Sequence, residues 1–142
     1  MTLAGPALVL DASLALSWAL PDEASAHGDA VLRQVAAAGA LVPALWLHGI
    51  ANGLLMAQRR NRCTTAQRMA FVEELLRLPI EAETATARAV LDGQAALAER
   101  YALTAYEAAY LDLALRRGLP LATQDKAMKS AAAKAGVAVV KG

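Results

Sequence analysis

The sequence predicts an α/β domain built on a parallel sheet that is covered on both faces. Short apolar runs of strand length (ALVLDA, ALVPA, LPLAT, VAVV) alternate along the chain with longer segments of helical spacing. The runs are apolar almost throughout, the pattern of strands buried on both faces. At 142 residues, 57% of them apolar, the chain suits one domain with a sizeable core.

Taken in order, residues 7–12 read as the first strand and 13–20 as a short helix closed by Pro21-Asp22-Glu23. Residues 25–38 have helical spacing, with Ala26, Val31, Leu32 and Val35 on or near one face and Gly39 as a stop. A second strand covers 40–44, and Pro43 ends it or marks an edge. Two helices follow over 45–61 and 65–78, joined around Arg62-Cys63-Thr64. The alternating segment 79–83 (PIEAE) reads as a third short strand. Helices over 86–101 and 106–117 precede a buried strand at 119–123, a helix at 126–135 and a last strand at 137–140. No repeat and no long Gly/Ser linker interrupts the series, so a single domain over 1–142 is expected.

The net charge of +1 announces no global basic field. Local clusters, Arg59-Arg60 with Arg62 and Arg116-Arg117, are either solvated faces or a binding face. The single cysteine, Cys63, has no partner for an internal disulfide and no metal-ligand spacing around it, which suits a reducing compartment. The apolar start is broken by Asp11 and lacks a basic leader, and no stretch reads as a membrane span. A soluble, cytoplasmic protein with no membrane partner is the expectation.

In sheets of this kind the ligand site lies outside the carboxyl ends of the strands, near the switch in strand order. Two apolar runs end in an acid there, VLDAS in Asp11 and LATQD in Asp125, and Glu107 opens the helix after Leu103-Thr104. Three carboxylates brought to one end of a sheet repel unless a cation neutralises them, and Mg²⁺ or Mn²⁺ favours that oxygen set. Each acid also has a structural reading. Asp125 can cap the last helix, and Thr104 with Glu107 fits a capping box. Asp11, after an apolar strand, is expensive unless it is used or capping. Asp112 lies about 140° round its helix from Glu107 and is expected to face solvent.

Three stretches together carry a resemblance: VLDASLALSWALPDE, LVPALWLHGIANGLL and LTAYEAAYLDLALRRGLPLATQDKAM. In that order they resemble the PIN-domain ribonuclease family, and within it the VapC-type toxins of bacterial toxin–antitoxin pairs. The resemblance implies a three-layer α/β/α PIN-like domain with a central parallel sheet, usually dimeric. It implies hydrolysis of RNA of the tRNA or rRNA class with Mg²⁺ or Mn²⁺, and a cognate VapB-type antitoxin as partner. By the same resemblance Asp11, Glu107 (where such toxins usually carry Asp) and Asp125 are the catalytic, metal-holding acids. Ser13, Asn52 and Thr123 match polar positions lining the same pocket.

The middle motif departs from the family. There the pattern is P-x-L-W-x-x-E-x-x-N; Pro43, Leu45, Trp46 and Asn52 are in place, and Gly49 stands where the Glu belongs. His48 does not replace it, being about 100° away on the helix and a poor ligand for Mg²⁺; it is expected at the core edge or in solvent. Gly49 is then a natural loss, an inactivating change, or half of a G-x-x-x-G with Gly53 that lets another backbone approach. The otherwise intact motif favours the inactivating change. A toxin-like dimer that binds an antitoxin without cutting RNA is the alternative function, with Trp18, Trp46, Leu54 and Leu55 as partner-facing candidates unless they are core. A phosphoacceptor receiver domain fits less well, because its early acid pair and late Lys are not placed here.

Overall fold

The structure, a computed structural model, describes residues 5–141. The first four residues of the apolar start, read above as no leader, and Gly142 lie outside the described residues.

Strand β1 (Leu8–Leu10) runs through the middle of a four-stranded sheet, with β2 (Ala40–Pro43) and β4 (Leu121–Ala122) on either side and β3 (Ile80–Glu83) beyond β2. All pairings are parallel. The helices are α1 (Ala12–Ser17), α2 (Ala26–Ala38), α3 (Leu45–Arg59), α4 (Thr65–Leu76), α5 (Ala95–Tyr101), α6 (Ala105–Arg117) and α7 (Lys126–Ala135). They enclose the sheet in the expected three-layer α/β/α arrangement. Every residue of β1, β2 and β4 is buried, as strands covered on both faces must be, whereas β3, at the edge, is half-exposed.

Local chemistry fixes the helix ends. The Ser25 hydroxyl accepts the Gly28 N–H at 2.9 Å to open α2. Gly39 closes it at φ +89°, where a Cβ would lie 2.9 Å from the Pro79 carbonyl oxygen, so this turn into β2 requires glycine. Thr64 and Gln67 form a reciprocal capping box on α4.

Several elements differ from expectation. The first helix ends at Ser17, because the Trp18 indole N–H donates to the Gly28 carbonyl at 2.9 Å and pins the chain to α2; Pro21–Glu23 then makes a 3₁₀ turn. The helix expected over 86–101 is not uniform: Ala89–Gln94 winds as a π-helix before α5. The last strand reduces to one parallel bridge, Val139 to Leu121, since β4 offers only two residues for pairing. Trp46 and Leu54 are buried in the core, Trp18 is partly buried and Leu55 is exposed.

β1 pairs with β2 on one side and with β4, which arrives late in the chain, on the other. The strand order therefore reverses between β1 and β4. The crevice beyond their carboxyl ends begins at Asp11 and Thr123.

Candidate functional site

Asp11 follows β1 directly and is 7% exposed. A carboxylate so far removed from water needs donors, and it has two on one oxygen: Oδ2 accepts from Ser13 Oγ and from Thr123 Oγ1, each at 2.7 Å. Its side chain does not cap α1. Among the described residues Oδ1 accepts no hydrogen bond, and it is not sealed from solvent, since Trp46 Nε1 is the one fully buried side-chain polar atom without a partner there. Ser13 and Thr123 thus orient Asp11, with the second oxygen left for the cleft. The Asp125 N–H donates in turn to Thr123 Oγ1 at 3.1 Å, fixing that hydroxyl.

The cleft beside Asp11 has a volume of ≈ 430 Å³ and brings together α3 and α6. Gly49, Asn52 and His48 line it from α3, and Glu107, Tyr106 and Tyr110 from α6. Asn52 follows Gly49 by three residues and so shares its helix face. His48 is exposed on the cleft wall, the solvent alternative of the two expected for it. The charged lining residues are Asp11 and Glu107, with no Lys or Arg, so the cleft presents negative charge to any ligand.

Glu107 does form the capping box: its Oε1 accepts the Thr104 N–H at 2.9 Å while Thr104 Oγ1 accepts the Glu107 N–H at 3.1 Å. The reading as a cap and the reading as a cleft residue hold together, because Oε2 accepts no hydrogen bond from the described residues. Asp125 caps α7, accepting the Met128 N–H at 2.9 Å, and is exposed outside the cleft lining. Of the three acids expected to converge, Asp11 and Glu107 line one cleft and Asp125 does not. Among the described residues no group of three or more His, Cys, Asp or Glu is placed to hold a metal ion. The donors that do share the cleft nonetheless fit Mg²⁺ or Mn²⁺, which binds through one or two carboxylates and retains several waters. An all-oxygen set of this kind does not suit a tetrahedral zinc site.

Asp112 also departs from expectation. Rather than facing solvent it is half-buried, accepting from the Gln94 amide at 3.3 Å and pairing with Arg116 at 3.0 Å. Arg116 reaches on to Glu83 at 2.8 Å, as does Arg117. The Arg116 guanidinium, followed by its charge and then by Arg117, holds the Glu83 carboxyl below its ordinary range against the opposing effect of partial burial. The Arg116-Arg117 pair is thereby committed within the fold.

Tyr110 is the site residue that the sequence pattern did not single out. It is buried, lines the cleft, and its phenol is pushed well above its ordinary value, first by burial and then by the negative charge of Asp11. It stays neutral beside the carboxylate. Its spacing of three from Glu107 places both on one face of α6, a signal that was available once Glu107 was taken as a site residue.

Comparison with protein-family models gives no match, and comparison with curated proteins gives none. Among solved structures the chain is similar to the crystal structure of PAE2754 from Pyrobaculum aerophilum, at 23% sequence identity and a TM-score of 0.66, over 89% of this chain and 86% of that one. At that identity the likeness establishes a shared α/β/α fold across nearly the whole chain.

Proposed function

We propose that this chain is a metal-dependent endoribonuclease of the VapC toxin type whose cleft has lost one acid at position 49. The observation that carries the reading is the placement of Gly49 in the wall of the cleft that holds Asp11 and Glu107. A Cβ added there meets only Ala12 Cβ, at 3.4 Å, an ordinary contact, so a side chain at 49 can start toward the cleft that the residue lines. The oriented Asp11 and its free oxygen support the same reading.

In this mechanism Asp11 Oδ1 and Glu107 Oε2 would hold Mg²⁺ or Mn²⁺. A bound ion of that kind polarises a phosphate and lowers the pKa of a coordinated water. Ser13 and Thr123 keep Asp11 in one orientation, and Asn52 offers an amide to position the attacking water or the phosphate. Attack in line on the phosphodiester leaves a 5′-phosphate and a 3′-hydroxyl. The missing acid at 49 weakens the hold on the ion; loss of outer-shell partners alone costs about 10–100-fold. The same reading supplies a VapB-type antitoxin and a second copy of the chain as partners, and tRNA or rRNA as substrate, in the cytoplasm. Among the described residues no helix is long and apolar enough to cross a membrane.

The test is RNA cleavage with Mg²⁺ or Mn²⁺ by this chain and by its Gly49→Glu variant. Cleavage by the variant alone supports a disarmed nuclease. Equal cleavage by both makes position 49 dispensable. Silence from both, over a broad RNA set and with metal bound, removes the nuclease reading. A second reading is then the non-catalytic, antitoxin-binding dimer, and one observation favours it: an apolar cleft of ≈ 220 Å³ between α3, α4 and the open edge strand β3, rimmed by exposed Leu47 and Leu76.

A further inference from the structure

The acidic cleft poses a difficulty for any phosphate. Its charged lining residues are Asp11 and Glu107, and neither Lys nor Arg lines it. A cation held by the two carboxylates answers part of a phosphate's charge; the oxygens turned away from the ion still need hydrogen bonds. The side chains in the lining that can donate are the Asn52 amide, the His48 ring and the phenols of Tyr106 and Tyr110.

These donors differ in how firmly they are held. Tyr106 is 73% exposed, and His48 and Asn52 are exposed on α3. Tyr110 is 4% exposed, its ring fixed in the core where α6 packs on β1 and β2. Its hydroxyl is nevertheless open to the cleft, because the one sealed side-chain polar atom without a partner among the described residues belongs to Trp46. The Ala12 backbone favours the ionised form of the phenol, so it meets the oxygen as a donor; Asp11 acts on the phenol through charge and not through a hydrogen bond. The phenolic proton is therefore unspent among the described residues.

We propose that Tyr110 is the phosphate-binding donor of this cleft, its O–H giving a hydrogen bond to a non-bridging oxygen of the phosphodiester while Asp11 and Glu107 serve the cation. A ring already immobilised by the core loses little freedom on binding, and its dipole need not turn as charge gathers on the phosphate. A neutral donor also suits a cleft that keeps its acids for an ion. A Lys or Arg at this place would pair with Asp11 and compete for its free oxygen, whereas a phenol leaves the carboxylate charged and available. The phosphodiester rests on the ribonuclease reading; the fixed ring and its unspent proton do not.

The experiment places Tyr110→Phe in the native chain and in the Gly49→Glu variant, with Tyr101→Phe as a control outside the cleft lining. The substitution removes one oxygen and keeps the buried ring, and circular dichroism checks the fold. Mn²⁺ binding is followed by the electron paramagnetic resonance of the free ion, binding of uridine 5′-monophosphate by calorimetry at saturating Mn²⁺, and RNA cleavage in single turnover. The expected result for Tyr110→Phe is unchanged Mn²⁺ affinity, nucleotide binding weaker by about tenfold or more, and cleavage in the Gly49→Glu background slower by about 100-fold. Tyr101→Phe matches its parent in all three. Nucleotide binding that ignores the hydroxyl, or is absent from every form, overturns the proposal. So does a loss of Mn²⁺ affinity equal to the loss of nucleotide affinity, which would assign the phenol to the ion. Cleavage by Gly49→Glu that survives Tyr110→Phe undiminished removes the role of Tyr110 and leaves the nuclease standing. Hydroxyl-dependent nucleotide binding without cleavage by either form at position 49 keeps the phosphate donor and removes the nuclease.

Discussion

A Cβ built on Gly53 would run into Leu16 of α1, overlapping Cδ1 and lying 3.0 Å from Cδ2 and 3.2 Å from Cγ, whereas one built on Gly49 would meet only Ala12 Cβ at 3.4 Å. Both glycines belong to the same helix, one turn apart, and both weaken it by about 0.5–1 kcal/mol relative to alanine. Only at Gly53 does packing repay that loss, by letting α1 lie close to α3. At Gly49 the missing side chain opens onto the cleft instead. Gly53 thus makes room for a side chain of α1 and not for the second backbone that the G-x-x-x-G spacing suggested, and Gly49 has to be understood from the cleft.

The largest effect that tests this contrast is catalytic. On the proposed nuclease reading, Asp11→Asn in the Gly49→Glu background is expected to lower RNA cleavage by at least about 100-fold in single-turnover assays, since losing a carboxylate that would itself hold the ion should cost more than losing a residue behind it. Undiminished cleavage would detach the cleft from the chemistry. Next comes stability. Gly49→Ala is expected to gain about 0.5–1 kcal/mol, and Gly53→Ala to gain less, because Leu16 must turn aside to admit the new methyl. Urea denaturation should separate the two variants in that order, and adding Leu16→Ala should bring the effect of Gly53→Ala closer to that of Gly49→Ala. Equal shifts in both backgrounds would erase the distinction between the two positions.

A third variant asks whether a site residue can serve cleft and packing at once. Thr104→Ala removes the cap of α6 and is expected to cost about 1 kcal/mol while leaving Glu107 without its tether. In the Gly49→Glu background it should lower apparent metal affinity as well as the urea midpoint. A change in the midpoint alone would assign Glu107 wholly to the cap. The smallest effect concerns Glu83, a carboxylate outside the acidic cleft lining and committed to ion pairs within the fold. Its folded pKa lies below the ordinary 4.5, so its ion pairs stabilise the fold above that value and lose their contribution as pH falls through the depressed one. The stability difference between the native chain and Glu83→Gln should be flat above about pH 5 and close below it. A difference that widens in acid would contradict the pairing with Arg116 and Arg117.

Much of this architecture was legible in the residues. LVL and ALVP are apolar at every position and form fully buried strands; Thr104 with Glu107 and Asp125 before Lys126 mark helix starts that the structure realises as caps. What escaped depended on distant partners. The end of α1 is decided by the Gly28 carbonyl ten residues on, and the burial of Asp112 by Gln94 and Arg116, contacts that no local period encodes. At the candidate site, strand-end logic marked Asp11 but could not choose between cap and cleft for Asp125, which caps α7 outside the cleft lining. Tyr110 drew no assignment, because a single tyrosine among Ala108, Ala109 and Leu111 fits an ordinary buried helix face.

The hydrogen bond from Thr123 to Asp11 spans 112 positions of the chain. At ordinary rates of synthesis, on the order of 5–20 residues per second, Asp11 emerges roughly ten seconds before the hydroxyl that orients it. During that interval β1 has no β4 beside it, and its terminal carboxylate has only Ser13 for a side-chain donor. The crevice cannot close gradually from the amino end; it appears in one late event, when the strand that completes the sheet also brings Thr123 to Asp11.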